Sequence, residues 1–549
     1  MNKIINFDKK PTLLFIIIFA CVMWTGQYCL RDLWAPDEAR YTYVAQEMND
    51  TGNWLVPQRN GKFYSHKPPL MFWLIKFGTF FTNGKFNGVS GRLPSLFGGI
   101  LAMWALVMIA CKWFDTGTAW WSLLIVSTSY LFWFKGGTGQ IDMLLLGLEM
   151  IALYFLYETD EKPAVWRSFL AFSFMGLAVL AKGPVGFIVP SGIYIFSNLV
   201  SGNKKYIPRW HWLWGTIVCL LWPGTWLLLA KINHAPAAYF NELLFAQNFG
   251  RFEGKFGGHY HAFYYYFKYL LIDFLPWIFF VPLSAAVILK KKIHTKQLKK
   301  IGGWIFFVVI FFSLCKGKRN LYILSVYPGF AMIVGNAIAD MNLMKKKWIK
   351  SAVYPFLLLI GLAGVLLFAA PFVYKIPPGT KLSAVALKSV CFPLSAIFIA
   401  GVFFLSKVYK KEALSEHFFL KAVSVFIIAE LYIGMVVFPA FNAVKTPVVL
   451  AAEVQKMTEP DDRLIVYRMN GEILAYYSHR RGKRINDPES LLKEMKKTKK
   501  GIVVFKQKTW KTMPEKFHAM GKIHKFTVGG GRLCWLEYGY KRTDSQDEN

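Results

Sequence analysis

The sequence predicts an all-α polytopic membrane protein of about thirteen transmembrane helices, followed by a small α/β domain. Three observations predict it. Apolar runs recur at lengths that cross a hydrocarbon core, which takes about 20 helical residues. Lys and Arg cluster in alternate connections, and beyond residue 445 the apolar runs give way to short mixed segments. Hydrophobic residues make up 55% of the chain and mean hydropathy is +0.34, which excludes an ordinary soluble domain. The net charge of +33 on a soluble face would suggest a nucleic-acid partner. Here the cations lie between apolar runs, so no nucleic acid is expected, and the partners in reach are membrane lipids.

In order, the expected spans lie near residues 11–30, 93–113, 118–135, 141–158, 166–181, 184–200, 211–231, 268–289, 302–316, 320–340, 349–373, 385–406 and 417–440. The fifth and sixth are barely separated, by the KGP at Lys182 to Pro184. Lys9 and Lys10, Lys204 with Lys205 and Arg209, Lys290 to Lys292, Lys345 to Lys347, and Lys407 with Lys410 and Lys411 fall on one side, which the positive-inside rule makes cytoplasmic. The loops 31–92 and 232–267 and the C-terminal segment then face outward. No small-x-small cleavage site follows the first apolar run, so it is expected to remain as the first span. The seven cysteines form no disulfide framework or zinc-knuckle pattern.

The loop 31–92 is the longest connection between spans, and loops of such length are usually functional. After Pro36 the stretch Asp37 to Met48 has the acidic start and spacing of a helix. The segment KPPLMFWLIKFGTFF follows as an amphipathic, proline-started element, expected to place Phe72, Trp73, Phe77 and Phe80 in the membrane interface with Lys67 and Lys76 reaching phosphates. Charge at a membrane mouth is costly unless it has a task. Asp37 and Glu38 serve at the least as favourable charges in a helix's first turn. Beside Arg40 and Lys67 they also suit an acceptor-activating carboxylate facing cations that neutralise a leaving phosphate.

We divide the chain into a transmembrane domain, residues 1–445, and a soluble α/β domain, residues 446–549. In the latter RLIVYRM and GIVVFKQ read as strands, GEILAYYSHR and PESLLKEMKK as helices, and FTVGGGRLCWLEY as a hairpin whose Gly529 to Gly531 form a turn rather than a phosphate loop.

The motifs PDEARY, WLVPQRNGKFYSHKPPL, GRLPS at Gly91, IDMLL at Ile141, GLAVLAKGP at Gly176, HYHAFYYY with FLPW after His259, and GKRNLYILSVYP at Gly317 occur in one order along the chain. In that order the chain resembles bacterial aminoarabinose transferases of lipid A, within the GT-C class of membrane glycosyltransferases that also holds protein O-mannosyltransferases. The resemblance implies a GT-C fold and transfer of a sugar, by inverting single displacement, from an undecaprenyl phosphate donor to an outward-facing acceptor, lipid A or another envelope glycan. It implies no nucleotide, a location in the bacterial inner membrane, and a periplasmic active site and C-terminus. Residue by residue, Asp37 and Asp142 match the family's acidic positions, with Glu38 a third candidate catalytic carboxylate. Arg40, Tyr64, Lys67, Arg92, Lys182, Lys318, Arg319 and Tyr322 match positions around the donor phosphate. His259 matches a histidine that contributes to a metal site. In this chain His66 stands where the family's motif has glutamate, so His66 and His259, with His261 nearby, are the candidate ligands of a divalent metal such as zinc. A protein O-mannosyltransferase is the alternative within the enzyme class. A lipid-linked sugar transporter or flippase is the alternative outside it, disfavoured because charges gather at outer helix ends and not at the bilayer midplane.

Overall fold

The computed structural model describes residues 9–203, 209–246, 260–292, 294–338, 346–374, 382–458, 464–469, 471–480, 482–498, 501–528 and 531–539. The protein is a multi-pass membrane protein, and each of the expected apolar runs is largely helical. Among the described residues, seven helices are long and apolar enough to cross a membrane by themselves, and up to nine spans result if two bent pairs each count as one. The first ten helices are α1 (Leu13–Cys29), α2 (Asp37–Thr51), α3 (Leu70–Gly78), α4 (Gly88–Trp113), α5 (Thr116–Ser127), α6 (Tyr130–Gly136), α7 (Ile141–Glu161), α8 (Val165–Lys182), α9 (Val185–Val200) and α10 (Arg209–Ile232).

Two expected single spans are broken, for reasons the residues supply. The run 118–135 stops as α5 at Ser127, where Ser127 and Thr128 hydroxyls donate to the Leu124 carbonyl and Ser129 donates to that of Val126. The freed backbone is satisfied by protein: Tyr130 N–H donates to the Leu275 carbonyl at 2.9 Å and Leu131 N–H to that of Asp273 at 3.0 Å. Beyond this break α6 and α7 meet at 108°. The run 268–289 likewise bends by 97° between the helix Tyr265–Ile272 and the segment Trp277–Lys291, at Pro276, which has no N–H to continue a helix.

The α4–α7 crossing fixes the position of the α7 N-terminus. Gly98 and Gly147 face each other there, and a Cβ on either would run into the other helix's backbone. α2 and α3 form a platform from the first loop, linked by the two-residue strands β1 (Gln58–Arg59) and β2 (Lys62–Phe63), which pair antiparallel. Glu47 of α2 accepts the Asn60 and Gly61 N–H groups at this turn. The amphipathic segment is only partly interfacial: Phe77, Phe80 and Phe81 are exposed, while Phe72 is fully buried and the Trp73 indole donates to the Trp54 carbonyl. Lys76 donates to Asn49 of α2 rather than reaching outward.

The C-terminal region forms one five-stranded sheet in the order β4-β3-β5-β7-β6, from β3 (Leu464–Tyr467), β4 (Gly482–Ile485), β5 (Gly501–Lys506), β6 (Gly521–Val528) and β7 (Gly531–Tyr538). β3 is parallel to β4 and β5, and the β6–β7 hairpin closes antiparallel on β5. The expected strands, helices and hairpin are present, and Gly529 and Gly530 of the expected turn lie outside the described residues. β4 was not expected; its GKRI is too short and too charged to signal a strand without its neighbour β3. The helix Glu472–Ser478 seats the sheet on the platform: Tyr476 and Tyr477 hydroxyls donate to the Phe86 and Leu33 carbonyls at 2.7 and 3.1 Å, and Glu472 pairs with Arg59 at 3.3 Å.

Candidate active site

α2 opens directly after Pro36, so its first turn carries Asp37 and Glu38 on neighbouring positions of the helix. Glu38 turns inward. Its Oε1 accepts from Arg31 Nη2 at 2.6 Å, Arg92 Nε at 2.9 Å and the Gly139 N–H at 2.8 Å, and Oε2 accepts from the Trp34 N–H at 2.9 Å. Burial works against its charge, but Arg31 and Arg92 outweigh it and hold the carboxyl down at about 2. Arg92 is spent on the same hub: besides Glu38 its guanidinium donates to the carbonyls of Gln27, Arg31 and Asp32 at 2.6 to 2.8 Å. With side chains 0% exposed, Arg31 and Arg92 present nothing to a ligand. The structure therefore places Glu38 and Arg92, expected as a catalytic carboxylate and a phosphate ligand, in a closed ionic hub that joins the first loop, α4 and the α6–α7 turn.

Asp37 faces the other way. One oxygen pairs with Arg40; the other accepts from Arg319 at 3.2 Å and from Gln140 Nε2 at 3.4 Å. Arg319 lies in the segment after the helix Thr295–Leu314 and stays 37% exposed, so this pair borders an opening. Asp142 and Asp37 hold the Arg319 charge against a burial that works to remove it, so its guanidinium titrates above the usual range. Burial first, and then the charge of Asp37, push the Tyr41 phenol up, so Tyr41 remains a neutral hydroxyl beside the carboxylate.

A second pair stands next to the first. Asp142 occupies the first turn of α7 and Lys182 ends α8, both favourable positions for the helix dipoles, and they meet at 2.5 Å. Lys182 also lies 4.6 Å over the Tyr322 ring. Lys67 and Arg319 are electrostatic neighbours of Asp142, which ties the first-loop cation to the same cluster. Below it Asp142, Lys182, Tyr322 and Glu149 line a cavity of about 10 Å³, the size of one water.

Of the sequence-predicted residues, Asp37, Arg40, Lys67, Asp142, Lys182, Arg319 and Tyr322 thus converge. Tyr64 borders them as a buried ring between His66 and Phe72, close to Arg40. Lys318 does not join: its ammonium donates to the carbonyl of Cys315 at 2.5 Å, the residue that ends the preceding helix Thr295–Leu314. Sequence reasoning missed Arg31, Gln140 and Lys135. Arg31 and Lys135 each sit at the end of an apolar run, where an ionisable residue is itself a signal; Gln140 carried none.

His66 stacks on Tyr64 and its Nε2 lies 3.9 Å from Glu242 Oε1. His259 lies outside the described residues. Among the described residues no group of three or more His, Cys, Asp or Glu side chains comes together to hold a metal. The His66–Glu242 pair by itself supplies two of the three protein ligands that a catalytic zinc site takes.

Residues 66–228 match the family of dolichyl-phosphate-mannose-protein mannosyltransferases. The undecaprenyl phosphate-α-4-amino-4-deoxy-L-arabinose arabinosyl transferase of Shewanella sediminis is 30% identical over 375 residues, 66% of this chain and 67% of the relative. The enzyme of the same name from Wigglesworthia glossinidia brevipalpis is 25% identical over 360 residues, 63% of this chain and 61% of its own length. The crystal structure of ArnT from Cupriavidus metallidurans bound to undecaprenyl phosphate superposes with a TM-score of 0.76 at 19% identity, covering 96% of this chain and 97% of that one, so the two share a fold from end to end. The fold and the similarity to the Shewanella enzyme place this chain in the undecaprenyl phosphate-aminoarabinose arabinosyl transferase family, a group of GT-C membrane glycosyltransferases.

Proposed function

We propose that the protein moves a sugar from an undecaprenyl-phosphate-linked donor to lipid A at the periplasmic face of the bacterial inner membrane. The observation that carries this reading is Asp37, held by Arg40 and Arg319 at the edge of an opening, with the Asp142–Lys182 pair beside it. A carboxylate flanked by several cations suits a reaction in which an acceptor arrives and a phosphate leaves.

The acceptor oxygen attacks the anomeric carbon and forms the new glycosidic bond. On the opposite face the bond from that carbon to the lipid phosphate oxygen breaks, its electron pair staying on the phosphate, and configuration inverts. Phosphate is a competent leaving group once its charge is neutralised, so Lys67, Lys182 and Arg319 do the larger share of the work by clamping it, with Tyr322 fixing Lys182. Asp37 takes the proton of a hydroxyl acceptor, or orients an acceptor that is itself a phosphate. No nucleotide enters, since the energy of transfer lies in the bond between the sugar and the lipid phosphate.

Mass spectrometry of lipid A and of secreted proteins from wild-type and deletion strains tests the reading: the deletion should remove a sugar from lipid A. The match to protein mannosyltransferases supports one rival, transfer to protein, and for that rival the deletion would strip glycan from secreted proteins and leave lipid A unchanged.

A further inference from the structure

Glu149 is a carboxyl that neither the hub nor the chemistry proposed above uses. It stands seven residues after Asp142 on α7, two helical turns along and on the same face, roughly 10 Å deeper into the protein. Glu149 is 3% exposed, and its Oε1 has no hydrogen-bond partner among the described residues. Taking a polar oxygen out of water without a partner is unfavourable, and an ionisable side chain inside a membrane bundle marks a task.

The cavity beneath the Asp142–Lys182 pair joins this carboxyl to the donor clamp. Asp142, Lys182, Tyr322 and Glu149 all line it, its other walls are mostly apolar, among them Val189, Phe312 and Leu324, and its volume of about 10 Å³ suits one water. A buried water typically takes about three hydrogen-bond partners. Here the Lys182 ammonium is available as donor and the Asp142 and Glu149 carboxyls as acceptors. Lys182 and Asp142 are also the two charged groups that act on Glu149.

Lys182 has use for such a link. Its ammonium carries three N–H donors on a flexible four-carbon stem, so one contact does not give it a direction. Among the described residues its acceptor is Asp142 at 2.5 Å, and it lies 4.6 Å over the Tyr322 ring. We propose that Glu149 is a positioning residue of the donor clamp, holding the Lys182 ammonium toward the donor phosphate through one water in this cavity. Glu149 touches no substrate and acts only through Lys182. The inference rests on the lipid-phosphate donor proposed above.

The test is binding of undecaprenyl phosphate to the full-length, detergent-solubilised enzyme, with a thermal melt of each variant. Glu149→Met should weaken binding about three- to tenfold, the effect of one lost hydrogen bond, and leave the melting temperature unchanged or higher, because an unpartnered carboxyl leaves an apolar wall. Glu149→Gln keeps an oxygen acceptor at the same reach and should bind as the wild type does. Glu149→Leu replaces the Met variant if that one does not fold. Wild-type binding by the Met variant would overturn the inference, as would a Gln variant as weak as the Met one. So would a melting temperature that falls in step with binding, the mark of a merely structural carboxyl. A wild-type enzyme that does not bind undecaprenyl phosphate would instead remove the proposed donor, and this inference with it.

Discussion

Asp37 and Glu38 are adjacent, carry the same charge and are both shielded by two arginines, yet they do different things. The partners of Glu38 are fully buried and every guanidinium donor of Arg92 is used within the protein. Those of Asp37 keep 25% and 37% of their side chains exposed and can turn to another anion. One residue of α-helix rotates a side chain by about 100°, so two neighbours face two environments. The difference teaches that charge pairing alone does not mark a site; what marks it is whether the partner cations are exposed enough to meet a ligand.

Three experiments break or sharpen this contrast. Asp37→Asn should lower turnover by about 10²–10⁴-fold, the usual worth of a positioned base, while leaving the detergent-solubilised protein's melting temperature nearly unchanged. A large loss of stability instead would make Asp37 a second hub. Arg92→Met should do the reverse: it strands a buried carboxylate and should cost about 3–5 kcal/mol of stability, read as loss of folded protein in the membrane. An Arg92→Met protein that folds normally but binds undecaprenyl phosphate poorly would return Arg92 to the donor site. Acid should weaken the hub through Glu38. Its carboxyl is depressed from an ordinary 4.5 to about 2, so its contribution is complete above 4.5 and is lost as the pH falls through about 2. A thermal-melt series over that window should show the decline in wild type and a much weaker one in Glu38→Gln.

The fold class was legible because span length and loop charge are properties of composition, and the position of every apolar run could be read in advance. The breaks at Ser127 to Ser129 and at Pro276 were less so, since an apolar run with a few hydroxyls or one proline also continues as a helix when neighbours supply no alternative backbone partner. In the site, the motifs marked the residue types and the contacts decided their use. Arg92 and Arg319 are both arginines near the start of a helical segment, and only the packing of Gln27, Arg31 and Asp32 carbonyls around the first separates a buried tie from an available cation. Glu38 was given a catalytic role for the same reason: nothing in PDEARY says which of two carboxylates Arg31 will reach.

The seat of the C-terminal sheet also sets a clock. The Tyr476 hydroxyl meets a carbonyl 390 residues earlier in the chain, at Phe86. At translation rates of about 5–20 residues per second, the first loop waits roughly 20–80 s between its own synthesis and the arrival of that contact. For that interval Ala39 and Tyr43 of α2 stand without Ala475 and Tyr476, which pack on them, so the ribosome finishes the support of this platform long after it has made the platform itself.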